Sequence, residues 1–258
     1  LIEMRFSVLG SGSKGNSVYI ESGNTGILID AGFSGKEIET RLHSIERDLS
    51  NVRALCVTHE HNDHIRGAGV ISRRCKIPTY INRGTLLAGE KRIGKLFACN
   101  EFETGELLQI GDLQVRSFRI SHDTADPVGY VVGDGKRSVG YCTDTGKVSH
   151  LIGQRLAECN GLILEFNHNL QMLKNGPYPL PLQQRVRSSR GHLSNEDAAE
   201  FLSGLIGDHL HTAVLAHLSE TNNTPELARN AAMQSVQHWG ETSLLISSQK
   251  KATTLVQL

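Results

Sequence analysis

Between residues 58 and 64 the chain reads THEHNDH, which places three histidines and an aspartate in one short stretch. Imidazole nitrogens and carboxylate oxygens are ready ligands for divalent cations, and burying several of them without a partner is costly. The cluster therefore predicts a metal site. An apolar run, RALCVTHEH, leads straight into it. If residues 59 to 61 stay extended, His59 and His61 project to one side and share one cation. Asp63 and His64 lie past a bend, where a helix start would turn them towards a second. Two adjacent ions are expected.

Three histidines and one aspartate cannot complete both coordination shells, so further ligands must come from the ends of other strands. His122 closes VRSFRISH, Asp144 follows SVGYC and His217 closes TAVLAH. Each is a polar residue at the edge of an apolar strand, which fits a site assembled along one rim. Asp144 suits a bridging position because its two oxygens can each coordinate a cation. Taken singly, His122 and Asp144 also suit capping or ordinary hydrogen bonding, and His217 suits a satisfied core histidine.

The elements that would position these residues alternate in type. MRFSVLG, SVYIES, TGILIDAG and VRALCVTH read as strands, with a helix over 34–44 before the last of them. A short helix is expected over 64–75, then a strand at IPTYIN. Residues 107–142 read mostly as strand, followed by a helix over about 149–158 and the apolar run GLILEFNH. Ser194 and Asp197 have capping-box spacing and predict a helix from about 195. TAVLAHLS reads as a buried strand, with a helix near 225–238 and a final strand pair after it. Helices flanking two central sheets are the architecture this order favours. GSGSKG, Gly10 to Gly15, matches a dinucleotide-binding pattern, yet NSVYIES after it reads as a strand where that pattern needs a helix. A tight turn carrying Ser11, Ser13 and Asn16 at the mouth of a site, or a plain hairpin, remains.

Lys plus Arg and Asp plus Glu number 27 each, so no overall positive field recruits nucleic acid, and such a substrate would need a local patch. The concentrated basic stretch is RVRSSRGH, with Arg185, Arg187 and Arg190. It is expected to be a flexible phosphate-binding loop; a solvated loop with no partner is the competing reading. The five cysteines form no CxxC pair, which argues against a disulfide framework and against a thiolate zinc site. The cytoplasm is the expected location, and no stretch has the length and apolarity of a membrane span. A single domain over 1–258 is expected.

THEHNDH resembles the HxHxDH signature of the metallo-β-lactamase superfamily, and His122, Asp144 and His217 fall in the order of its remaining ligands. The resemblance covers essentially the whole chain. It implies a four-layer αββα sandwich of the α/β class, with two metal ions at the sheet edges. GSGSKGNS, SHDTADPVGY, CTDTG, EFNHN with GPYP, RGHLSNEDAA and LAHLSETNNTPE together resemble the YycJ (WalJ) branch, whose members are described as DNA exonucleases working from 5′ ends. The phrases at 191–199 and 215–223 also resemble the bacterial tRNA 3′-processing branch, where a histidine ahead of a helix assists catalysis. That role would fall to His192. Too few residues separate Asp144 from His217 for the inserted RNA-clamping domain of the β-CASP ribonucleases, and Asn169 stands where many chains of the YycJ branch carry aspartate.

The resemblance implies His59, His61 and His122 on one cation, Asp63, His64 and His217 on the other, and Asp144 on both. The cofactors expected are Zn²⁺ or Mn²⁺, whose ligand preferences this donor set does not separate. Two such ions would activate a water for in-line attack on a phosphodiester. Asp63 would orient the nucleophile, and His192 would donate a proton to the leaving oxygen. His168, with Glu165 and Asn167, is a further candidate for substrate contact or imidazole orientation. DNA is the expected partner and RNA the other nucleic acid open to it. A hydrolase of a thioester, lactone or other acyl compound is the alternative enzyme, and a metal-stabilised regulatory protein without catalysis is the alternative from another class.

Overall fold

A computed structural model of the chain describes residues 3–236 and 239–258. The first sheet is built from β1 (Arg5–Gly10), β2 (Ser17–Ser22), β3 (Thr25–Ile29), β4 (Val52–Cys56), β5 (Pro78–Asn82) and β6 (Ala98–Phe102). The second holds β7 (Leu107–Ile110), β8 (Leu113–Arg119), β9 (Val128–Gly133), β10 (Ser138–Cys142), β11 (Gly161–Glu165), β12 (Thr212–Ala216) and β13 (Ser243–Ile246). β14 (Val256–Gln257) returns to the first sheet and pairs antiparallel with β1. The helices are α1 (Gly35–His43), α2 (Asn62–Ile65), α3 (Ala68–Cys75), α4 (Arg83–Ile93), α5 (His150–Leu156), α6 (Leu170–Asn175), α7 (Leu180–Val186), α8 (Asn195–Ser203) and α9 (Pro225–Ser235).

Strand periodicity sorts the apolar residues into layers. Val8, Ile20 and Ile29 from the first sheet meet Val132, Ile163 and Val214 from the second in one buried cluster between the sheets. Their chain neighbours point outward: Leu9 and Leu28 pack with Ile38 of α1 and Ile71 of α3. On the other side Leu162, Leu164 and Leu215 pack with Ile152 of α5, Leu202 of α8 and Ala228 of α9. Because successive side chains of a strand face opposite ways, each strand feeds both an inner and an outer layer. The result is an αββα sandwich.

β10 to β13 run parallel, and so do β3 to β6. β8 is antiparallel to β9, which is antiparallel to β10, so β8 and β10 end at the same rim. The polar residues after β4, β8, β10, β11 and β12 are thereby gathered in one place. The two sheets are also stitched there: the Tyr130 hydroxyl donates to Val57 O at 2.6 Å, and Val128 N donates to Thr58 O at 3.1 Å.

Several local expectations are corrected. The helix over 64–75 is two helices, α2 and α3, with Gly67 as the N-cap of α3. The basic stretch is not a simple loop, since Arg185 lies in the last turn of α7 and Arg187 caps it. The final strands do not pair with each other but join different sheets. The helix near 225–238 ends at Ser235, and its last two expected positions lie outside the described residues. Gly10 to Gly15 turns between antiparallel β1 and β2, with Gly12 at φ +140°, so no dinucleotide-binding helix follows it. No described helix is long and apolar enough to cross a membrane.

Candidate metal centre

Asp30, at the end of β3, is fully buried and organises the first ligands. Its Oδ1 accepts from Thr58 N and its Oδ2 from Thr58 Oγ1, both at 2.8 Å. The same Oδ2 lies 2.7 Å from His64 Nδ1, which assigns the ring proton to that nitrogen and leaves Nε2 facing inward. His64 Nε2 is 3.4 Å from Asp144 Oδ2 and 3.5 Å from Asp63 Oδ2. His59 Nδ1 is 3.0 Å from Thr58 Oγ1, and its Nε2 is buried without a hydrogen-bond partner.

The other half comes from the second sheet. Asp144, just past β10, sets Oδ1 3.4 Å from His217 Nε2 and 3.9 Å from His122 Nε2. Glu165, the last residue of β11, is fully buried and accepts with Oε1 from His192 Nδ1 at 2.8 Å and from His217 Nδ1 at 3.0 Å. Its Oε2 accepts from Thr145 N and Leu193 N. His122 Nδ1 donates to Gly191 O at 3.2 Å, and its Nε2 lies 3.2 Å from His61 Nδ1. Three residues at these strand ends, Asp30, Asp144 and His217, hold left-handed backbone at φ +59°, +59° and +55°. A side chain in that region costs about 1–2 kcal/mol, so packing around the site must over-determine it.

The donor atoms gather into overlapping sets: His59, His61 and His122; Asp63, His64 and His217; His59, His64 and Asp144; and Asp144, Glu165, His192 and His217. His59 Nε2, His217 Nε2 and Asp144 Oδ2 have neither a hydrogen-bond partner nor solvent. Such orphans are rare in a folded interior unless something else satisfies them. Two divalent cations fit this donor set of nitrogen and oxygen, and no thiol belongs to it.

Electrostatics agree with that fit. Burial opposes charge on His59, His61, His64, His122 and His217, yet at His217 the carboxylates of Asp144, Asp63 and Glu165 win and hold it up at about 10. Asp144, Asp30 and Asp63 likewise hold His64 well above its ordinary value against the effect of burial. His59, buried and beside His64, His122 and His61, is pushed well below. Burial also opposes ionisation of Asp63 and Asp144, but the surrounding imidazoles keep both carboxyls low. Protons thus occupy in the metal-free protein a place that cations would take, and metal binding releases them.

The cluster floors an open cleft of about 440 Å³. His192, Ser13, Arg185, Arg92 and Tyr178 are among the residues that line it. Other expected contacts fall elsewhere. Ser11 and Asn16 are buried braces: Ser11 Oγ accepts from His217 N at 2.9 Å, and Asn16 Nδ2 donates to Asp63 Oδ2 at 3.2 Å. His168 is buried at 1% exposure and does not line the cleft; its carbonyl receives Asn195 N, and its side-chain Nδ1 has no hydrogen-bond partner. Arg190 Nε donates to His122 O, and Arg187 does not line the cleft. Asn169, the departure from the related chains, caps α6 by accepting from Gln171 N and Met172 N. Sequence reasoning missed Asp30 and gave Glu165 only a place beside His168. Both end apolar strands, the same signal that singled out His217.

The sequence pattern of the beta-lactamase superfamily domain matches residues 25–218. The chain is 39% identical over 239 residues to exodeoxyribonuclease YycJ of Bacillus anthracis, spanning 92% of this chain and 90% of that protein. It is 39% identical over 231 residues to exodeoxyribonuclease WalJ of Streptococcus pneumoniae, spanning 88% and 86%. Its backbone superposes on the metallo-beta-lactamase fold protein YhfI of Bacillus subtilis with a TM-score of 0.77 over the full length of both chains, at 17% identity, a likeness of fold alone.

Proposed function

This chain belongs to the metallo-β-lactamase superfamily and is a metal-dependent hydrolase; on that footing we propose that it is a phosphodiesterase acting on DNA, degrading it from 5′ ends as an exonuclease. The observation that carries the reading is the overlap of the donor sets at Asp144, set beside 39% identity to exodeoxyribonucleases over about nine-tenths of the chain. His59, His61 and His122 would hold one cation, Asp63, His64 and His217 the other, and Asp144 would touch both. Bound there, Zn²⁺ or Mn²⁺ would supply Lewis-acid charge against a phosphate and lower the pKa of a water between them.

The chain's own groups do the rest. Glu165 fixes the His192 ring by accepting a hydrogen bond from Nδ1–H, so Nε2 is the nitrogen left for the cleft, where the imidazolium form can give its Nε2 proton to a departing sugar oxygen. Asp63 is half enclosed and can accept a hydrogen bond from the attacking water while holding its cation. Arg185, exposed on the cleft wall, supplies a positive contact for the substrate backbone. Ligands drawn from both sheets support one functional unit over the whole chain.

The test is a product gel of 5′-phosphorylated double-stranded DNA incubated with metal-stripped protein and added Mn²⁺, alongside His61→Ala and Asp144→Ala. Progressive release of mononucleotides by the wild type and by neither variant is the expected result. No cleavage in any lane, with metal loading verified, would remove DNA as substrate and turn the search to RNA and then to acyl compounds.

A further inference from the structure

The imidazoles of the centre are not all held alike. His64 Nδ1 has Asp30 at 2.7 Å, His59 Nδ1 has Thr58 at 3.0 Å, His217 Nδ1 has Glu165 at 3.0 Å and His122 Nδ1 has Gly191 O at 3.2 Å. In each case the nitrogen turned away from the cluster is locked by a fixed partner, the usual device for orienting a ligand imidazole. His61 differs. Its Nδ1 faces His122 Nε2 at 3.2 Å, and its outward Nε2 has only Asp123 Oδ1, at 3.8 Å, beyond hydrogen-bond range.

Asp123 is divided between two demands. Oδ2 accepts from Arg185 Nε at 2.6 Å. Oδ1 is shut off from solvent, lacks a hydrogen-bond partner, and faces both His61 Nε2 and His122 Nε2, the latter at 3.6 Å. With Nδ1 turned into the cluster as a ligand, His61 would carry its proton on Nε2, and a buried carboxylate oxygen left unpaired beside that nitrogen is a bond waiting to be made. What draws the carboxylate to the other side is an arginine whose side chain is 60% exposed on α7 and lines the cleft. A guanidinium serves carboxylate and phosphate equally well, so a phosphate entering the cleft competes with Asp123 for Arg185.

We propose that Asp123 is the positioning residue for His61 and that the Asp123–Arg185 pair couples occupancy of the cleft by a phosphate to the hold on the cation at His59, His61 and His122. With the cleft empty, Arg185 keeps Asp123 from closing on His61, and that ligand is loosely oriented. When a phosphate takes Arg185, Asp123 accepts from His61 Nε2 and the cation is gripped more firmly. Linkage makes the effect reciprocal: the loaded centre binds phosphate more tightly by the same factor. This inference rests on the metal assignment made above, but it requires no particular nucleic acid.

Zinc dissociation constants, measured by competition with a chromophoric chelator in the absence and presence of thymidine 5′-monophosphate, test it on wild type, Asp123→Asn and Arg185→Gln. Folding of each variant is checked by circular dichroism. In the wild type the nucleotide should tighten zinc severalfold. Asp123→Asn should weaken zinc roughly tenfold to a hundredfold and reduce the nucleotide's effect, the size seen when such partners of ligand imidazoles are removed. Arg185→Gln should bind zinc at least as tightly as wild type without nucleotide and also show the reduced effect, which a merely structural salt bridge would not produce. Two results overturn the proposal: undiminished nucleotide coupling in both variants, or loss of one zinc equivalent in Asp123→Asn, which would make Asp123 a ligand. Intact zinc coupling with no DNA cleavage would instead count against the exonuclease reading while leaving this one standing.

Discussion

His192 and His217 lean on the same oxygen, Glu165 Oε1, and both line the cleft, yet the His192 side chain is 22% exposed and that of His217 only 3%. Replacing His192 by Gln should therefore lower kcat by about 10²–10⁴-fold, the range for a lost proton donor, while zinc affinity stays within a few-fold of wild type. Steady-state rates and chelator competition, measured on one preparation, check both halves. A large loss of zinc instead would make His192 a ligand. His168 makes a different prediction. Burial, only partly countered by Glu165, pushes its pKa down to about 4, so it is folded as the neutral ring. Its contribution to stability is complete above the unfolded value of about 6.5 and is lost as the pH falls through about 4. The urea midpoint of wild type should fall more steeply over that window than that of His168→Gln, and parallel curves would show that His168 is not a source of the acid sensitivity. The sequence made the histidines conspicuous, but it could not say which one faces water, because His168 and His192 both sit between an apolar strand and a helix.

At the level of elements, the strands that carry ligands were legible because an apolar run ending in a polar residue is a local signal. What escaped lacked such a signal. β6 is mostly exposed along its length and shows no alternation, and α4 carries two glycines and a weak apolar stripe. α7 begins among prolines that read as loop, although its Pro179 cap and the proline in its first turn suit a helix start. The left-handed turns at Asp30, Asp144 and His217 are equally silent in sequence, since they are imposed by tertiary packing. Gly32 exposes the tightness of that packing. A Cβ there would lie 1.7 Å from Asp63 O and 2.5 Å from Asn16 N, both backbone atoms that no rotamer change can move. Gly32→Ala should destabilise the protein by about 1–3 kcal/mol and weaken zinc binding with it. Denaturant titration of the metal-free protein checks the first part, and a midpoint equal to wild type would mean that the α2 loop gives way more easily than the contact implies.

For the whole molecule, the centre acts as a clasp between layers. His59, His61, Asp63 and His64 leave the first sheet, while His122, Asp144 and His217 leave the second. Cations that bind only the folded form stabilise it by mass action, by about 2.7 kcal/mol at a free concentration a hundred times Kd. Chelation should accordingly lower Tm by several degrees, and re-addition of Zn²⁺ or Mn²⁺ should restore it; an unchanged Tm would mean that the two halves do not share a bound ion. The same division has a consequence for biogenesis. Chains fold from the N-terminus as they are synthesised, in whole units. A nascent chain that has completed THEHNDH holds four of the seven donors, and the rest arrive as late as His217. The hydrolytic centre therefore stays unassembled, and harmless to nearby nucleic acid, until the segment carrying His217 has left the ribosome.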